Sequence, residues 1–110
     1  MIYKIIPTPQ FSKSVKSLFK KYKLIANDLK NLEKELTVNP KAGIELGNNC
    51  YKLRVQNSSV PTGKSGGFRV IYYLKVEDRI FLLEIYSKSD LENISDDKIL
   101  NILKANGLIG

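Results

Sequence analysis

The chain has no histidine, no tryptophan, one cysteine and one methionine among its 110 residues. Without histidine, the commonest general base and the commonest metal ligand are missing. A lone Cys50 excludes a disulfide framework and any cysteine-based zinc site. No apolar run approaches the length of a membrane span, and Met1–Ile6 passes at once into polar residues, unlike a signal peptide. A soluble, cytoplasmic protein with no cofactor and no bound metal is expected.

Acid is also missing from two long stretches. Residues 1–23 carry Lys4, Lys13, Lys16, Lys20, Lys21 and Lys23 and no acid. Residues 46–75 carry Lys52, Arg54, Lys64, Arg69 and Lys75 and again no acid. These two zones account for the net charge of +7. A small domain of this charge suits a polyanion, most often nucleic acid and sometimes an acidic protein. The plainer reading of the same charge is solubility.

The remaining composition is globular, with 43% hydrophobic and 26% charged residues. The length suits a single domain over residues 1–110, burying about two thirds of its unfolded surface. Tyr3–Ile6 reads as a strand. Thr8-Pro9 reads as a helix N-cap followed by proline in the first turn. Phe11, Val15, Leu18, Phe19 and Tyr22 then mark one apolar helix face, and Ile25, Leu29, Leu32 and Leu36 mark a second helix, ended by Asn39-Pro40. The break at Lys21–Leu24 makes the two a helical hairpin.

The period then changes from helix to strand. Tyr51–Gln56 alternates, with Tyr51, Leu53 and Val55 inward and Lys52, Arg54 and Gln56 outward. Asn57–Gly67 is a polar loop. Phe68–Leu74 and Arg79–Tyr86 are strands joined by a turn at Val76–Asp78. Ser89-Asp90-Leu91-Glu92 has capping-box spacing and suggests a short helix. Ser95–Leu103 suggests a C-terminal helix ending before Gly107. The expected order is β-α-α-β-β-β-α, an α+β fold. Its antiparallel sheet would carry the helical hairpin on one face and leave the other open and basic.

On that open face Lys52, Arg54 and Arg69 form a positive patch. Tyr73 shares the face with Arg69, Lys64 lies in the loop, and Tyr86 and Lys88 end the last strand. Cations bind phosphate, and tyrosines stack on unpaired bases and exchange protons. Internal cleavage of RNA needs a base for the ribose 2′-hydroxyl, a cation for the phosphorane and an acid for the leaving 5′-oxygen. Lysine could serve as base, arginine as charge stabiliser, and tyrosine or lysine as acid. The basic zones lack the carboxylates that a magnesium site wants.

Each residue also has an ordinary structural role open to it. Alternating Lys and Arg is the usual solvated face of a strand, and Tyr72 and Tyr73 suit a core or a sheet edge. Cys50 suits packing, and Asp96 and Asp97 suit a helix dipole. Gly63, Gly66 and Gly67 superficially suggest a phosphate loop, but the first glycine of that pattern is missing and a strand follows.

The stretch Lys64-Ser65-Gly66-Gly67-Phe68-Arg69-Val70-Ile71-Tyr72-Tyr73 resembles the RelE/HigB-like toxins of bacterial toxin–antitoxin systems. So do Ile80–Leu83, Ile85-Tyr86-Ser87-Lys88-Ser89 and the upstream Tyr51-Lys52-Leu53-Arg54. The likeness is strongest over residues 48–95 and nearest the HigB-like branch. It implies a ribosome-dependent endoribonuclease that cuts mRNA in the A site without a metal, together with a cognate antitoxin. It implies roles for Lys52, Arg54, Arg69 and Lys88 around the scissile phosphate, with Lys13, Lys16, Lys20, Lys21 and Lys64 as outer RNA contacts. Some relatives carry a catalytic tyrosine near the C-terminus, whereas residues 89–110 contain none. Tyr73, Tyr86 or a lysine then takes the acid role. Two other readings keep the fold: a gyrase inhibitor of the related ParE branch, and a non-catalytic module that binds RNA or antitoxin.

Overall fold

A computed structural model describes residues 3–61, 66–75 and 79–109. The elements run β1 (Lys4–Pro7), α1 (Pro9–Phe19), α2 (Ile25–Val38), β2 (Ile44–Gly47), β3 (Cys50–Val55), β4 (Phe68–Lys75), β5 (Arg79–Ser87) and α3 (Asp96–Ala105). The α+β class stands, and both helices of the hairpin lie where their apolar stripes put them. Thr8 caps α1, accepting from the Phe11 N–H, while its hydroxyl donates to the Leu82 carbonyl at 2.9 Å.

The five strands form one sheet in the order β1-β5-β4-β3-β2. The pairs from β2 through β5 are antiparallel, but β1 runs parallel to β5, with Lys4 opposite Arg79 and Pro7 opposite Leu82. The sheet is therefore mixed, not purely antiparallel as expected. A parallel partner needs a crossover, and the helical hairpin begins that crossover.

Strand β2 was not anticipated. It is exposed at all four positions, so no buried residue announces it. Its signal lies in the turn that follows. Asn48 and Asn49 both have positive φ, 52° and 61°, and join Gly47 directly to its partner Cys50. That is a two-residue hairpin with mirror-image turn geometry, which asparagine tolerates.

Two cores sandwich the sheet. Tyr51, Leu53, Val55, Phe68, Val70, Tyr72, Ile80, Leu82 and Ile85 pack against α1 and α2. Tyr51 and Tyr72, opposite each other on β3 and β4, stack with ring centres 5.3 Å apart. The Tyr72 hydroxyl donates to the Pro40 carbonyl at 2.7 Å and ties the end of α2 to the sheet.

On the other face Cys50, Ile71, Leu83 and Tyr86 pack against Ile99, Ile102 and Leu103 of α3. The expected open face is thus partly roofed by the C-terminal helix. Ser95 caps α3 through the Lys98 N–H, with Asp96 and Asp97 in its first turn. No helix forms at Ser89–Glu92. The Asp90 and Leu91 amides both bond the Ser87 carbonyl at 3.0 Å, which makes a turn. The expected turn at Val76–Asp78 lies outside the described residues.

One irregularity sets the face of half a strand. Ile71 pairs with Glu84 and Tyr72 with Leu82, so Leu83 is an extra residue in β5. Before this bulge Ile80 and Leu82 face the hairpin; after it Ile85 does, and Tyr86 turns to the α3 face. The bulge also leaves the Glu84 carboxylate buried, accepting from Gln10 at 2.8 Å and lying 3.5 Å from Lys98.

Gly67 closes the β3–β4 connection. A Cβ there would lie 2.3 Å from the Val55 carbonyl oxygen, a backbone atom that cannot turn aside. Its own carbonyl accepts from the Lys88 N–H at 3.0 Å. Gly67→Ala is expected to cost about 3 kcal/mol of stability, the scale of an overpacked interior. A denaturant midpoint within error of wild type would show that the two backbones separate freely.

Candidate active site: a cationic row under a strap

Arg54 on β3, Arg69 on β4 and Tyr86 on β5 are direct neighbours across three strands. Side chains in such positions have their Cβ atoms about 5 Å apart. Two guanidinium groups facing each other in this way repel, and a sheet gains no stability from it. Arg54 is exposed, but Arg69 is only 6% exposed. Burial lowers the Arg69 pKa from its ordinary value, the Arg54 charge lowers it further, and Tyr86 works the other way. One Arg69 N–H donates to the Phe68 carbonyl at 3.2 Å. A buried cation held beside a second cation is the arrangement expected of an anion site, not of a solvated strand face.

Tyr86 completes the row. Its residue is 6% exposed, and its hydroxyl has no hydrogen-bond partner of normal geometry among the described residues. Burial raises its pKa above the ordinary tyrosine value, while Arg69 and the Ile94 amide pull it down. The phenol therefore keeps its proton at neutral pH and is a donor in search of an acceptor.

Two lysines flank the row. Lys52 precedes Arg54 by two residues on the same face, and its ammonium donates to the Asn93 side-chain oxygen at 3.0 Å. Lys88 follows Tyr86 by two, and its ammonium donates to the Glu92 carbonyl at 3.4 Å. The partner of Lys88 is a backbone carbonyl, not a carboxylate. Glu92–Ile94 thus forms a strap between the last strand and α3 that engages both flanking lysines. Ile94 packs with the α3 core beside Tyr86.

Other residues singled out by sequence lie elsewhere. Tyr73 does share the face of Arg69, but four residues along a strand is about 13 Å. There it packs against Phe81, with ring centres 6.3 Å apart, at the end of the sheet away from the row. Lys13, Lys16 and Lys20 are exposed along α1 and its end. Lys21 is different: it lies 3.6 Å from Asp90, in the turn that carries Lys88. Lys64 lies outside the described residues.

Sequence reasoning passed over Asn93 and Ile94 as loop, and Tyr22 as a core residue. The capping-box spacing at Ser89–Glu92 suggests a short helix and does not point to these residues. Cys50 is buried, and burial pushes its thiol up to about 11.

Comparison with known proteins identifies the family and the fold. The profile of the "RelE toxin of RelE / RelB toxin-antitoxin system" family matches residues 4–108. The chain belongs to the RelE toxin family. Its fold also matches a solved structure of a double mutant of the E. coli toxin RelE in the free state. That match covers 96% of this chain and 98% of the other, with a TM-score of 0.59 and 18% identity. Membership makes this chain the toxin of a toxin–antitoxin pair, and so implies an antitoxin partner. Among the described residues of the toxin, no helix is long and apolar enough to cross a membrane.

Two measurements check the site. Pyrophosphate should raise the melting temperature of the wild-type toxin by several degrees, through preferential binding to the folded state. That rise should vanish in Arg69→Met. An equal rise in both proteins would place the anion elsewhere. Cys50 should resist alkylation at pH 8 until the protein unfolds. Because its folded pKa exceeds its ordinary value of 9.0, its contribution to stability is complete below pH 9 and is lost as pH rises through about 11.

Proposed function

We propose that this toxin is a ribosome-dependent endoribonuclease that cuts mRNA in the A site and so arrests translation. The observation that carries the reading is the row Arg54–Arg69–Tyr86: two cations beside a buried phenol that holds its proton. The likeness of Lys64–Tyr73 and Ile85–Ser89 to HigB-like members supports it.

The chemistry follows from the placement. A scissile phosphate over Arg69 meets both guanidinium groups, which bear the charge that grows on the phosphorane. Tyr86 gives its proton to the leaving 5′-oxygen, and the neighbouring arginines stabilise the phenolate left behind. In its neutral form a flanking lysine, Lys52 or Lys88, takes the proton of the attacking 2′-hydroxyl. The products are a 2′,3′-cyclic phosphate and a free 5′-hydroxyl. Mechanistically, Tyr73 is too far along the strand to share this phosphate and is assigned to packing. Lys21 and the lysines of α1 supply longer-range attraction for the ribosome's RNA, an effect that salt weakens.

Primer extension on an mRNA in a purified translation system tests the reading. Wild-type toxin should produce cuts only when ribosomes are present. Arg69→Ala should lose at least 100-fold in cutting rate while keeping a cooperative unfolding transition, and Tyr86→Phe should lose a similar factor. Intact mRNA with folded wild-type toxin, accompanied by DNA damage on expression, would move the activity to gyrase.

A further inference from the structure

Tyr22 lies between α1 and α2, outside every strand of the site, yet its hydroxyl reaches the end of β5. It lies 3.3 Å from the Ser87 Oγ and 3.5 Å from the Ser89 Oγ. Those two hydroxyls lie 2.8 Å from each other. Three hydroxyls thus close a triangle, and the residue between the two serines in the chain is Lys88.

The phenol is itself firmly held. Tyr22 is 4% exposed, and its ring meets Phe68 edge-on with centres 5.5 Å apart. Phe68 is the strand neighbour of Ser87 and the residue before Arg69. Lys21 adds a second tie from the same linker, to Asp90 on the far side of Lys88. The hydrogen bonds with Ser87 and then Ser89 lower the Tyr22 pKa, against the burial that raises it. A phenylalanine would fill the same space against Phe68, so packing does not account for a hydroxyl at this point.

We infer that Tyr22 is a positioning residue that fixes Ser87 and Ser89 and thereby aims Lys88 at the phosphate held by Arg54 and Arg69. The inference rests on the nuclease reading for its catalytic consequence and on the geometry alone for the pinning. A lysine side chain has four rotatable bonds and a large entropy to lose on ordering. Fixing the backbone on both sides of it sets where the Lys88 side chain starts, while the contact with the Glu92 carbonyl restrains its far end.

Tyr22→Phe keeps the ring and removes only the hydroxyl. In the purified translation system it should lower kcat about tenfold, leave KM within twofold and leave the denaturation midpoint near that of wild type. In a Lys88→Met background the same change should add nothing, because the group being aimed is already gone. A full tenfold loss in that background, or no loss in the single variant, overturns the inference.

Hydrogen exchange reads the pinning without any activity. The Asp90 and Leu91 amides, both bonded to the Ser87 carbonyl, should exchange at least tenfold faster in Tyr22→Phe. If wild-type toxin makes no cuts, the nuclease reading fails by itself. Faster exchange in the variant then still upholds the pinning, and unchanged exchange overturns it.

Discussion

One extra residue decides what this toxin can do. Strand β5 alternates strictly until Leu83, and without the bulge its continuation would point Tyr86 into the core beneath the helical hairpin. The bulge reverses the sense of everything after it. Ile85 goes to the hairpin core, and Tyr86 comes to lie beside Arg69. The same insertion leaves Glu84 buried against Gln10 and Lys98, so the irregularity is bonded to α1 and α3 rather than left as strain. Tyr86 joins the two arginines because its strand is one residue longer than its partner needs.

The site then carries electrostatic tension that packing alone would never select. Arg54 and Arg69 repel, Arg69 is buried, and among the described residues the Tyr86 hydroxyl lacks a partner of normal geometry. Among the described residues, three flanking cations are engaged: Lys52 by Asn93, Lys88 by the Glu92 carbonyl, Lys21 by Asp90. These contacts are weak ones, single bonds or an exposed ion pair. The roof made by α3 leaves one end of the face open and lowers the local dielectric at the other.

Much of this was legible beforehand, and the misses have physical causes. The helical hairpin announced itself through Thr8-Pro9 and the spacing from Phe11 to Leu36. Strands β3, β4 and β5 did so through alternation and β-branched residues. Lys52, Arg54 and Arg69 were placed on one face correctly, because a strand without a bulge obeys a period of two. Strand β2 was missed because an edge strand exposed on both faces leaves no apolar pattern, and only Gly47-Asn48-Asn49 betrayed it. The parallel pairing of β1 was missed because a four-residue strand does not encode the direction of its partner. Tyr73 was drawn into the site because alternation reports the face and not the distance along it. Tyr22 was read as a core residue from its period, which is true of its ring and silent about its hydroxyl. The strap at Glu92–Ile94 lies in a segment with no period at all.

The parallel pairing of β1 with β5 has a consequence for the life of the chain. The first strand to be made must wait for nearly the last one before it finds its neighbour. Contacts so far apart in sequence form late and slowly. The row Arg54–Arg69–Tyr86 needs only the three consecutive strands β3, β4 and β5, so it does not wait for β1, but no stretch of nascent chain short of β5 contains it. The candidate site is therefore complete only when the third of these strands is in place, and a partly made chain does not carry it.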